Sequence, residues 1–206
     1  GGAIVEVVTG ERWESFLQRR VLDPLEMKDT GFWPTDEQLA NRMSMYDVAG
    51  GTVAKWKLAH PSMQGPYNDD RVFPSAGAGL WTTAGDQLKF YKMLMNLGVG
   101  ENGVRILKAD TVKDLLAKST RPKGLGGYSL GLFAPEEDAE EAWFGHDGAW
   151  GTDGKVNWHR KQLRLWAVQI WGKPRPWDDD MKAAANAFFG GMHDGLDAGA
   201  GSDNAK

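Results

Sequence analysis

The sequence predicts an α+β domain in which an antiparallel β-sheet is flanked by helices. Three observations lead there. Apolar residues recur at helical spacing up to Leu116, they alternate with polar residues beyond Lys123, and helical spacing returns over residues 181–189. The order is helices first, then successive strands with short turns, then a closing helix.

The elements follow in chain order. Residues 1–10 are an uncapped apolar run, Gly1-Gly2-Ala3-Ile4-Val5-Glu6-Val7-Val8-Thr9-Gly10, which reads as an element entered midway. Trp13, Phe16, Leu17 and Val21 share one face of an amphipathic helix that Pro24 ends. Pro, Gly, Asp and Asn dominate from there to Ala76, so loops and a small hairpin are expected, with β-capable pieces at 42–46 and 52–58. Thr83-Ala84-Gly85-Asp86 resembles a capping box opening a helix that carries Leu88, Tyr91, Leu94 and Met95 up to Gly98. A shorter helix follows Ala109-Asp110. Residues 128–133, 141–145, 155–158 and 163–171 then read as strands, with a turn at His159-Arg160-Lys161-Gln162. The domain is placed at 1–189, and the Gly-, Ala-, Asp- and Ser-rich residues 190–206 are expected to form a disordered tail.

Composition narrows the function classes. The chain has 206 residues, enough to bury a core without staples. It has no cysteine, so disulfides and cysteine-ligated metals are excluded. With 24 Lys and Arg against 28 Asp and Glu, the formal charge is −4, and the basic residues are scattered, which argues against nucleic acid as a partner. No apolar run is long enough to span a membrane. The four histidines show no ligand spacing, so no metal is expected, and Gly77-Ala78-Gly79 is too short for a dinucleotide fingerprint, so no cofactor is expected either. The ten tryptophans fit either a packed core or an aromatic-lined cleft.

No nucleophile declares itself. Gly-x-Ser-x-Gly is absent, no serine has a lysine three residues later, and the three Thr-x-x-Lys matches (Thr52/Lys55, Thr120/Lys123, Thr152/Lys155) open no helix. Ser75 has no base or lysine at fixed spacing. The remaining candidate is Phe144-Gly145-His146-Asp147-Gly148-Ala149-Trp150-Gly151-Thr152, a histidine framed by glycines at a predicted strand edge, where a substrate can approach the main chain.

Four stretches in order carry a resemblance. They are residues 2–10, Val21-Leu22-Asp23-Pro24-Leu25-Glu26-Met27-Lys28-Asp29-Thr30-Gly31-Phe32, residues 75–86, and Gly145-His146-Asp147-Gly148. Together they resemble the serine β-lactamase-related hydrolases, which include class C β-lactamases, penicillin-binding-protein-like carboxypeptidases, D-aminopeptidases and esterases. The Pro-Leu-x-Met-x-x-Thr-x-Phe string is the most specific match.

The resemblance implies a β-lactamase/transpeptidase-like fold, incomplete at its N-terminus, and acyl transfer through a serine acyl-enzyme on ester, amide or D-amino-acid peptide substrates. Of the family's Ser-x-x-Lys, Tyr-x-Asn and Lys-Thr-Gly or His-x-Gly motifs, only His146-Asp147-Gly148 is present. The chain is therefore expected to be inactive alone and to look like the C-terminal part of a family member. By resemblance, His146 faces the cleft and Ala149 offers its backbone N–H to the oxyanion. Gly148 keeps the edge clear, Trp150 walls the cleft, and Asp147 sits where the family has a small or hydroxylated residue, which disfavours carboxylate-bearing substrates. The sequence fixes no compartment, and the resemblance implies a periplasmic or secreted protein. Two other readings stay open: a Trp-rich binding module without catalysis, and a fragment that complements an N-terminal half supplied separately.

Overall fold

The computed structural model describes residues 1–49, 52–55, 74–77, 79–117, 120, 122, 127–135, 142–171, 180, 183, 184 and 187. They divide into two units, one of residues 1–44 with 57–169 and one of residues 45–56 with 170–206.

The first unit begins with the helix Gly2–Thr9 (α1), which Gly10 closes in the left-handed conformation (φ +69°). Most of its apolar residues face outward: Ile4, Val7 and Val8 are 68, 87 and 78% exposed. The Glu6 carboxylate accepts the Trp13 N–H (3.0 Å), which satisfies a free donor at the start of the next helix, Trp13–Leu17 (α2). That helix runs on through a π-helical turn at Gln18–Leu22 and ends before Pro24, as the spacing predicts. Leu22, Leu25 and Met27 drop into the core from this segment. A short helix, Asp36–Ala40 (α3), goes unread in the sequence although Thr35 and Gln38 form a full capping box.

The helix Ala84–Met95 (α4) starts where expected, with the Thr83 hydroxyl accepting the Asp86 N–H (3.2 Å). Asp86 does not complete a capping box. Its carboxylate turns inward instead, 3% exposed, and accepts the Asp29 N–H (2.8 Å), the Thr30 hydroxyl (2.9 Å) and the Lys89 ammonium (2.9 Å). Gly31 and Trp81 exchange two backbone hydrogen bonds beside it (3.0 and 2.9 Å). The Pro24 to Phe32 string is thereby fastened to the start of α4. The helix Ala109–Leu115 (α5) adds Val112, and Leu116 just beyond it joins the same core as Tyr91, Met93 and Leu94.

In the second unit, Tyr46–Ala49 (β1) and Thr52–Lys55 (β2) form the expected hairpin, with the first strand later than the predicted 42–46 and the second within the predicted 52–58, of which 56–58 lie outside the described residues. In the first unit, Phe144–Asp147 (β3), Asp153–Asn157 (β4) and Gln162–Trp166 (β5) make an antiparallel sheet in the order β3-β4-β5. Phe144 and Val156 are cross-strand partners and fully buried, so this sheet closes the core over α4 and α5.

Two predicted strands are corrected. Residues 128–133 form a tight reversal, because Gly131 takes φ +96° and Leu132 O accepts the Ser129 N–H. Residues 163–171 are broken after Trp166, and Ile170–Trp171 (β6) pairs in parallel with β1 in the second unit. Of the predicted closing helix, Ala183, Ala184 and Ala187 are helical and the rest lies outside the described residues. The predicted tail at 190–206 also lies outside them.

Candidate active site

The site candidate is the hairpin from β3 to β4. The sequence places His146 at a strand edge, whereas it lies inside β3, opposite Gly154. That glycine is required sterically. A Cβ there would stand 2.4 to 2.6 Å from the ring and hydroxyl of Tyr91, which rises from α4 beneath the strand. Burial pushes the Tyr91 phenol up to about 12, the negative charge of Asp153 adds to the rise, and a hydrogen bond from the His146 backbone N–H opposes it. Spacing alone places Tyr91 on one apolar face of the helix, since nothing local signals a contact with a strand 55 or so positions further on.

The His146 ring is exposed and framed by aromatics. It lies against Phe133 (centroids 4.8 Å apart) and meets Tyr128 edge-on (5.9 Å), while Tyr128 and Phe133 are perpendicular at 5.3 Å. Phe133 also exchanges backbone hydrogen bonds with Gly145 (2.6 and 3.1 Å). Nδ1 of His146 donates to the Asp147 carbonyl (2.7 Å), since a carbonyl can only accept. In the neutral ring this leaves Nε2 as the acceptor.

Neighbouring strand residues point to opposite faces, so Asp147 does not share the His146 face. It lies with its register partner Asp153, whose carboxylate holds Lys155 and Arg164 (both 3.3 Å). Asp147 itself is exposed and makes no ion pair among the described residues.

Residues 148–152 link the two strands. Gly148 N–H donates to the Thr152 carbonyl (2.7 Å), and Gly151 N–H donates to the Gly148 carbonyl (2.9 Å), with Gly151 at φ +91°. Residues 148–151 are thus a β-turn with Ala149 and Trp150 at its centre. Ala149 is exposed, Trp150 is half-buried, and the Ala149 N–H donates to no oxygen among the described residues. The hairpin therefore brings together one ring acceptor and one free backbone donor at the same end of the sheet. Elsewhere, Ser75 spends its hydroxyl on the Gly77 N–H (3.3 Å) in a turn of its own.

The described residues hold no cluster of three or more His, Cys, Asp or Glu side chains able to bind a metal, and no helix among them is long and apolar enough to cross a membrane. The sequence matches the model of the family described as Beta-lactamase over residues 1–187. The chain belongs to the beta-lactamase family.

Relatives of this beta-lactamase family member include an uncharacterized protein of Mycobacterium tuberculosis, 33% identical over 112 residues, which are 54% of this chain and 27% of that protein. Penicillin-binding protein 4 of Amycolatopsis lactamdurans is 33% identical over 113 residues, 52% of this chain and 26% of that one. Among solved structures, a simvastatin synthase mutant from Aspergillus terreus superposes with a TM-score of 0.68 at 19% identity, over 84% of this chain and 48% of that one. This family member spans about a quarter of the length of these curated relatives, and its α+β architecture is that of the β-lactamase/transpeptidase fold.

Proposed function

We propose that the hairpin at residues 144–157 is the substrate-side edge of a serine acyl-transfer site acting on ester, amide or D-amino-acid peptide substrates. The observation that carries this reading is the Ala149 N–H, exposed at the centre of a β-turn with no acceptor of its own. Acyl transfer develops negative charge on the carbonyl oxygen, and a fixed backbone donor there stabilises the transition state by about 3 kcal/mol. His146, whose Nδ1 is held by the Asp147 carbonyl and whose Nε2 is left as the ring acceptor, receives a hydrogen bond from the substrate or from the general base. Gly148 keeps side-chain bulk off the edge, and Trp150 forms a wall beside it.

The nucleophile and the general base come from a segment bearing Ser-x-x-Lys and Tyr-x-Asn, neither of which occurs in this sequence. The chain by itself is inactive. The exposed Ile4, Val7 and Val8 of α1 support operation against a further segment, because three apolar residues on one short helix are otherwise a solvation penalty. The glycan-binding alternative draws no comparable support. Among the described tryptophans only Trp33 and Trp171 are exposed, and they belong to different units.

Two experiments test this. Intact mass after exposure to a fluorophosphonate, with p-nitrophenyl butyrate and nitrocefin hydrolysis in parallel, is expected to show no adduct and no turnover for the chain alone. A stoichiometric adduct would overturn that reading. With the chain joined to a nucleophile-bearing segment, Ala149→Pro removes the donor at a turn position that accommodates proline, and kcat should fall about 100-fold. An unchanged kcat would rule Ala149 out as the oxyanion donor.

A further inference from the structure

The turn that presents Ala149 is fastened from outside. Two of its residues are glycines, Gly151 is in the left-handed region, and the Ala149 side chain is exposed, so the turn has little of its own to stiffen it. Thr152, the last residue of the loop, makes the connection. Its hydroxyl donates to the Val168 carbonyl (2.9 Å) and accepts from the Gln169 side-chain amide (3.3 Å). Its own carbonyl accepts the Gly148 N–H (2.7 Å) and so closes the loop. One residue thereby couples the loop to the chain beyond β5 through its side chain and to the start of the turn through its backbone.

We propose that Thr152 is the positioning residue for the Ala149 donor, a role that rests on the oxyanion reading of that N–H. An oxyanion donor works within a distance window about 0.4 Å wide, and misplacement by about 1 Å can lower rate about 100-fold. Anchoring at 168–169 fixes where the turn, and hence the Ala149 N–H, stands relative to the sheet.

Two readouts test it. In the chain as it is, Thr152→Val should speed amide hydrogen exchange at Gly148 and Gly151 at least about tenfold while the β4–β5 ladder is unchanged, and Thr152→Ser should stay within about twofold. In the chain joined to a nucleophile-bearing segment, Thr152→Val should lower kcat for p-nitrophenyl butyrate about tenfold with KM within about twofold, and Thr152→Ser should restore it. Unchanged exchange in Thr152→Val overturns the proposal. So does faster exchange with an unchanged kcat when Ala149→Pro does lower kcat about 100-fold, because the anchor then does not act on the donor. If Ala149→Pro is also fully active, the oxyanion reading has failed and takes the proposal with it. Should Thr152→Val lose ladder protection, Gln169→Leu, which removes only the amide's bond to Thr152, is expected to accelerate the same two amides about threefold, and no acceleration overturns the proposal.

Discussion

The Pro24 to Phe32 string and the His146 to Thr152 hairpin are the two stretches that most mark this chain, and they treat their polar groups in opposite ways. In the first, Asp86 gathers the Asp29 N–H, the Thr30 hydroxyl and the Lys89 ammonium, and the Thr30 and Thr82 hydroxyls share a bond of 2.8 Å. Every group named there has its partner within the unit. In the second, the Ala149 N–H and Nε2 of His146 are left over among the described residues. Buried polar groups must be paired for the fold to hold, whereas unpaired ones at an exposed turn are available to a ligand. The more specific sequence string therefore serves stability, and on the proposed reading the shorter His-x-Gly serves chemistry.

That contrast predicts where substitutions act. The largest effect is expected for Asp86→Ala, which strands the Asp29 N–H, leaves the Thr30 hydroxyl only Thr82 and removes the buried partner of Lys89, and should lower unfolding free energy by about 3 kcal/mol in urea titrations. Amide exchange rates at the Gly148 and Gly151 turn residues should nonetheless stay unchanged. If the turn loosened selectively, the two regions would not be separate in kind.

A second effect belongs to the Tyr91 phenol, which connects the core to the underside of β3. Its native pKa of about 12 lies above the usual tyrosine value of about 10. The native state therefore holds the proton more tightly than the unfolded chain does. The contribution is fully present below pH 10 and is lost as pH rises from 10 to 12, for a total of about 2–3 kcal/mol. Tyr91→Phe should flatten that part of the stability profile between pH 9 and 12, and a profile of unchanged steepness would count against the burial that pushes the phenol up.

The smallest effect is expected at Asp147. Its carboxylate is exposed and on the face opposite His146, so water screens it from an anion at the edge. In the chain joined to a nucleophile-bearing segment, Asp147→Thr should raise kcat/KM for a penicillin about threefold relative to a neutral ester. A change of a hundredfold would mean that the carboxylate sits at the anion site after all.

Much of this was legible in the sequence where signals are local. The helical stripe through Leu88, Tyr91, Leu94 and Met95, the stop before Pro24 and the β4–β5 turn all follow from spacing. Residues 128–133 misled because Tyr128, Leu130 and Phe133 alternate loosely like a strand, while Gly131 at positive φ reverses the chain within it. The start of α3 was written in Thr35 and Gln38 but is too short to show periodicity. At the candidate site, His146 stands out by its framing glycines, and the role of Ala149 rests on the family pattern. The Tyr91 support under Gly154, the Phe133 and Tyr128 frame and the Thr152 anchor are contacts across distant positions, which no single-sequence period encodes.

The bonds around Asp86 also have a bearing on chain length. Thr30 and Thr82 are 52 positions apart yet touch, and Gly31 and Trp81 pair beside them, so the intervening chain leaves and returns at one closed base. The entropy of closing such an excursion grows only with the logarithm of its length, about 0.6 kcal/mol for each doubling. While the base stays shut, the closure term itself therefore changes little with the length of the chain between its two sides.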